Sequence, residues 1–213
     1  MIAITGGSGD LAVSLAKELI LRNQEFCLYT RSSSSVFSKD LSNKVINVLD
    51  YSNLKFDTDT SILIITNGKF AFRKFLDFSE KDLVEMLEAN FLSVVRIIRS
   101  YLVCTDPKLR RRITIIGSTA AYDFGAQTNL YSCLKFSLLG LVRALNNEYQ
   151  NIDTKFSIIS PSTINNQMGL QVPGQKVDTL IEQLKLEHLL QIRFKNFRGK
   201  LGRLSSRKLL ILE

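Results

Sequence analysis

A glycine-rich turn set directly after a first short strand constrains this chain more than any other feature. Ile2-Ala3-Ile4-Thr5 is apolar, and it breaks into Thr5-Gly6-Gly7-Ser8-Gly9-Asp10-Leu11-Ala12. From Leu11 onward, Leu15, Ala16, Leu19 and Ile20 fall on one face of a helix. The N-terminus of a helix entered through such a turn offers unpaired N–H groups to an anion held there. Gly7-x-Gly9-x-x-Ala12 has the spacing of a dinucleotide pyrophosphate site, and its small last residue permits close helix–sheet packing. Gly6, Gly7, Ser8, Gly9, Asp10 and Leu11 are therefore the candidate phosphate cradle.

The second strand, Glu25–Thr30, ends about 20 residues beyond the turn, where a carboxylate would meet a ribose 2′-hydroxyl. The chain offers Arg31 and Ser32 there, followed by three further serines. A cation with hydroxyls beside it suits a 2′-phosphate, so NADP is expected over NAD. Val45–Leu49 reads as a third strand with Asp50 at its end, placed to meet an adenine amino group. Ser61–Ile65 reads as a fourth, running into Thr66-Asn67-Gly68 beside the cofactor. These unbroken apolar runs suit a parallel sheet covered on both faces.

Ser79-Glu80-Lys81-Asp82 is a capping-box start to a long helix with an apolar stripe of Leu83, Leu87, Phe91, Val94, Val95, Ile98 and Leu102. Asn90 falls at the edge of that stripe, as a satisfied core amide or a working residue. Arg112–Gly117 reads as a buried strand closed by Ser118. Tyr131 and Lys135 then stand four apart on one helical face. An ammonium near a phenol is expected to lower its pKa, and the phenol can exchange a proton with an alkoxide. The spacing alone is unspecific: Tyr51 and Lys55 repeat it, with Ser38 at the same upstream offset. That second set lacks the context, because Ser38 ends a serine-rich loop and position 10 is Asp.

In order and spacing, the glycine turn, Asp50, Asn67-Gly68, Asn90, Ser118, Tyr131 and Lys135 resemble the short-chain dehydrogenase/reductase family, over residues 1 to about 168. Pro161-Ser162-Thr163-Ile164, after a strand at 156–160, is similar to the family's segment flanking the nicotinamide. The length of the chain suits one domain over residues 1–213, and the resemblance implies a three-layer Rossmann-type α/β sandwich with a central, mostly parallel sheet. It implies hydride transfer between a carbonyl and an alcohol, with Tyr131 as acid/base and Lys135 holding the nicotinamide ribose. Ser118 would bind the substrate oxygen, Asn90 would support a water leading to Lys135, and Pro161 and Ile164 would flank the cofactor. Tyr122, Phe124 and Met168 are expected pocket walls. A homodimer or homotetramer is implied through helices near 80–103 and 131–147. The chain departs from the family pattern at Asp10, often glycine there, at Ser162 after Pro161, and at Asn166 near a usual threonine.

Composition bounds the remaining classes. Three dispersed cysteines and a single histidine, His188, give poor support to metal or His-based chemistry, and a reduced, cytoplasmic protein is expected. No apolar run reaches membrane-span length, and the first residues lack a signal-peptide pattern. The net charge of +8 favours an anionic small-molecule substrate. Residues 162–207 are expected to shape the substrate site, with a lid over 165–175, an amphipathic helix over 177–192 and a basic stretch over 193–208. Phe194 and Phe197 make that stretch read as a solvated face around packed aromatics, in preference to a nucleic-acid patch. Lys208–Leu212 reads as a last strand closing the sheet edge. The rival reading is a non-catalytic NADP-binding regulator or scaffold whose basic stretch engages a partner.

Overall fold

The computed structural model describes residues 1–33, 35, 37–164 and 168–171, and the backbone of 202–203 and 209–212. The expected lid (apart from 168–171), the 177–192 helix, His188 and nearly all of the basic stretch lie outside the described residues. Among the described residues eight strands form one sheet: β1 (Ile2–Thr5), β2 (Phe26–Thr30), β3 (Val45–Asn47), β4 (Ile62–Ile65), β5 (Arg111–Ile116), β6 (Thr154–Pro161), β7 (Gly202–Arg203) and β8 (Leu209–Leu212). Their order is β3-β2-β1-β4-β5-β6-β8-β7. The first six run parallel, and β8 pairs antiparallel with β6, Ile159 opposite Ile211. The last strand therefore does not close the edge, because the short β7 pairs outside it.

Successive residues on a strand point to opposite faces, and here both faces are covered. Ile2, Ile4, Leu28 and Ile64 pack with Leu15, Ala16 and Leu19 of α1 (Asp10–Leu21) and Leu41 of α2 (Lys39–Ser42). Ala3, Leu63, Ile65, Ile113 and Phe156 pack on the other face with α4 (Ser93–Cys104) and α5 (Asn129–Glu148). The result is a three-layer α/β sandwich. β3 is shorter than its apolar run because it is an edge strand with one neighbour, and Leu49 beyond it is fully exposed.

The long helix expected from residue 79 is broken by a turn of wider pitch. α3 (Glu80–Leu87) starts with the expected capping box: Ser79 Oγ accepts from the Asp82 N–H at 3.2 Å, and Asp82 Oδ2 accepts from the Ser79 N–H at 3.1 Å. A π-helical turn over Glu88–Leu92 then joins α3 to α4. Of the expected stripe, Val94 and Ile98 are buried and Leu87 is 41% exposed, while Met86, Asn90, Ile97 and Tyr101 are buried beside it.

Candidate active site

The C-terminal ends of β1, β2, β4, β5 and β6 open on one cleft of about 890 Å³. β1 and β4 are neighbours in the sheet although not in sequence, and an open α/β sheet receives ligands at such a reversal of strand order. Gly6 has a φ of +75°, and a β-carbon there would lie 2.7 Å from Thr66 Oγ1. Gly9 donates its N–H to the Gly6 carbonyl at 2.9 Å and caps α1 without a side-chain acceptor. The first N–H groups of α1 thus face the cleft without a side-chain cap, which suits an anionic phosphate. Gly7 is not in the lining; it packs under β2, donating its N–H to the Tyr29 carbonyl at 3.0 Å.

Past β2, Arg31 and Ser32 line the cleft, and the Arg31 guanidinium lies 5.8 Å from the centre of the Tyr51 ring. Tyr51, set aside in the sequence with Lys55, is a buried residue of the cleft wall. Asp50 stands off the lining, and its carboxylate accepts from the Ser52 N–H at 2.7 Å and from the Ser52 hydroxyl. Those bonds hold it below the usual carboxylate range.

At the other end Ser118, Tyr131, Lys135, Pro161, Ile164 and Met168 line the same cleft. Burial pushes the Tyr131 phenol up to about 12, opposed by a hydrogen bond with the Ser118 side chain. Burial also pulls Lys135 down to about 8, and its Nζ donates to the Ile116 carbonyl at 3.1 Å. The Lys135 Nζ lies 5.7 Å from the Tyr131 ring centre. The expectation that the ammonium lowers the phenol is corrected here, because desolvation is the larger influence on both groups. A phenol that keeps its proton at neutral pH is suited to donating it.

Asn90 is outside the lining but is fully buried beneath it. Its Oδ1 accepts from the Lys69 N–H at 3.2 Å, and its Nδ2 donates to the carbonyls of Lys69 and Met86 at 2.9 and 3.0 Å. A β-carbon on Gly68 would lie 3.2 Å from both Asn90 Oδ1 and Lys135 Nζ, so only glycine fits without displacing one of them. Asn67 lines the cleft beside it and accepts from Thr5 Oγ1 at 2.7 Å.

Of the three expected pocket walls, Met168 lines the cleft. Tyr122 packs instead against the α4–α5 core, its hydroxyl toward Ser160, and Phe124 is largely exposed with its ring 6.2 Å from that of Phe136. Sequence reasoning missed Phe70, Phe72, Asp123 and Thr128, which also line the cleft. The two phenylalanines, two apart after Asn67-Gly68, carry a faint signal of a shared face; Asp123 and Thr128 carry none. Among the described residues no group of three Cys, His, Asp or Glu side chains is placed to hold a metal. Nor is any described helix long and apolar enough to cross a membrane.

Fold and site together define a dinucleotide-binding type of α/β protein. A model of the short chain dehydrogenase family matches residues 42–176, and the chain belongs to that family of oxidoreductases. It is 25% identical over 179 residues to a 3-dehydrosphinganine reductase from Arabidopsis thaliana, an alignment covering 76% of this chain and 55% of that protein. The chain thus spans about half the length of that curated relative. An alcohol dehydrogenase from the archaeon Thermococcus sibiricus, solved with 5-hydroxy-NADP, superposes with a TM-score of 0.75 at 19% identity, over 92% of each chain. A short-chain dehydrogenase/reductase from Vibrio parahaemolyticus superposes with a TM-score of 0.67 at 21% identity, over 76% of this chain and 84% of the other. At such identities the two structures speak for the fold.

Proposed function

We propose that this protein is an NADP-dependent oxidoreductase interconverting a carbonyl and a secondary alcohol, with Tyr131 as general acid in reduction and general base in oxidation. The observation that carries this reading is the convergence of Ser118, Tyr131 and Lys135 on the cleft whose far end is the glycine turn. The residues suit the cofactor. Gly6, Ser8 and Gly9 with the N-terminus of α1 would hold the pyrophosphate, and Arg31 and Ser32 the 2′-phosphate. Asn67, Gly68, Pro161 and Ile164 would flank the nicotinamide, and Lys135 would hold its ribose. NADP, when bound, supplies or accepts the hydride. Ser118 donates a hydrogen bond to the substrate oxygen as charge builds on it, and Tyr131 delivers the proton. Asn90 keeps Gly68 and Lys69 in place behind Lys135. The T. sibiricus structure with its NADP analogue supports the choice of cofactor.

The same reading takes residues 1–213 as one domain acting in the cytoplasm on a small molecule. It also includes self-association through α4 and α5, supported by the half-exposed Phe136 on α5.

NADPH oxidation against a panel of aldehydes and ketones tests the activity. Wild-type turnover and a loss of at least about a hundredfold in Tyr131→Phe are expected. Tight NADPH binding without turnover of any carbonyl would leave the protein a cofactor-binding regulator instead.

A further inference from the structure

Tyr51 lines the cleft, yet the proposed reaction makes no use of it. The residue is 7% exposed and belongs to one core cluster with Tyr29, Leu54 and Phe56. The segment that carries it is tied on both sides. The Asp50 carboxylate accepts from the Ser52 N–H at 2.7 Å, and the Tyr29 hydroxyl donates to the Lys55 carbonyl at 2.9 Å.

Arg31 is the opposite case. The backbone beside it is fixed: the Thr30 carbonyl accepts from the Val48 N–H at 2.9 Å, and Thr30 Oγ1 accepts from the Ser32 N–H at 3.0 Å. The residue itself is exposed, and among the described residues no carboxylate pairs with it. What its guanidinium meets is the Tyr51 ring, over which it lies 5.8 Å from the centre. The other charged side chain in the described lining at this end is Asp10, in the first turn of α1. Arg31 and Asp10 cancel in formal charge, so selection of an added phosphate depends on where the guanidinium is held. An arginine that must be immobilised on a phosphate loses side-chain freedom, which costs about two- to tenfold in affinity. An aromatic face that already holds the cation reduces that loss, and it leaves the N–H edges to the phosphate oxygens.

We infer that Tyr51 is a positioning residue for the cofactor: its ring holds the Arg31 guanidinium ready for the ribose 2′-phosphate and so sets the preference for NADP over NAD. This rests on the proposed placement of that phosphate at Arg31 and deepens it.

The test uses the full chain. Calorimetry measures binding of adenosine 2′,5′-bisphosphate and adenosine 5′-monophosphate, which differ by the 2′-phosphate alone, so the ratio of affinities cancels any effect common to both. The wild type should prefer the bisphosphate. Tyr51→Phe keeps the ring and should keep the preference, whereas Tyr51→Leu should lower it about two- to tenfold. Arg31→Ala should remove it, and adding Tyr51→Leu to that variant should change the ratio no further. In the unsubstituted protein, nuclear Overhauser contacts between the Arg31 side chain and the Tyr51 ring are expected before and after the bisphosphate is added. An unchanged ratio in Tyr51→Leu, an equal loss in Tyr51→Phe, a further fall in the double variant or no such contact in the free protein overturns the inference and leaves the NADP reading standing. Equal binding of the two nucleotides by the wild type overturns both. A Tyr51-dependent preference in a protein that turns over no carbonyl upholds the inference while the enzyme reading fails.

Discussion

Lys135 works at a position where burial opposes its charge. Its folded-state pKa of about 8 lies below the ordinary 10.5, so between those values the unfolded chain binds the proton that the folded chain has released. Stability contributed by this group therefore rises with pH across about 8 to 10.5, by at most about 1.4 kcal/mol per pH unit. In Lys135→Met that slope should vanish, read as urea-unfolding free energies of the two proteins at several pH values. Parallel curves would mean that the ammonium is less desolvated than its surroundings suggest. Gly68 makes a sharper demand, since a methyl group there would push against Asn90 Oδ1 and Lys135 Nζ at 3.2 Å. Gly68→Ala is expected to cost about 1 to 3 kcal/mol as an overpacked site, and to weaken NADPH binding in fluorescence titration through displacement of Lys135. The sequence showed Tyr131, Lys135 and Ser118 because their spacing carries chemistry. It was silent on Asp123, which belongs to the cleft through the turn after Ser118 and not through any pattern.

Helices and loops act on the site through the π-helical turn. A regular helix from Ser79 to Cys104 would keep one stripe throughout, and the stripe read from sequence put Leu87 inside and Asn90 at its rim. Asn90 lies within the π-helical turn and is fully buried, its amide spanning the Lys69 backbone and the Met86 carbonyl. Wider turns of this kind recur at functional sites. Asn90→Ala leaves buried backbone groups unpaired and should destabilise the fold by about 2 to 4 kcal/mol, seen as a lower urea midpoint. The loss should spread to the Phe70–Phe72 wall, because Asn90 is its anchor. Hydrogen exchange at the Lys69 amide should accelerate, and an unchanged rate would show that the Lys69–Glu85 and Arg73–Asp82 ion pairs hold the segment without it.

Across the whole molecule, the sheet joins the strand ends that open on the cleft to opposite ends where Arg111 is buried. Arg111 begins β5 almost completely buried, its Nε donating to Thr154 Oγ1 at 2.9 Å on β6 and its Nη1 reaching Leu102 and Thr105 at the end of α4 at 3.5 Å. These acceptors are neutral, so the guanidinium depends on all of them together. Arg111→Ala should cost about 1 to 3 kcal/mol, because it removes the charge and leaves only neutral acceptors without their donor, with a lower melting temperature as the measurement. Local pattern alone determined the parallel α/β layering, the glycine turn and the grouping of Ser118, Tyr131 and Lys135, because apolar periodicity, a glycine turn and i,i+4 spacing are written over short stretches of chain. Tertiary structure decided that Tyr51 joins the cleft while Asp50, Tyr122 and Phe124 stand outside it, and that Asn90 is buried beneath it. Those outcomes depend on which side chains meet across the sheet and on how far burial outweighs charge, and neither can be read from neighbours in sequence.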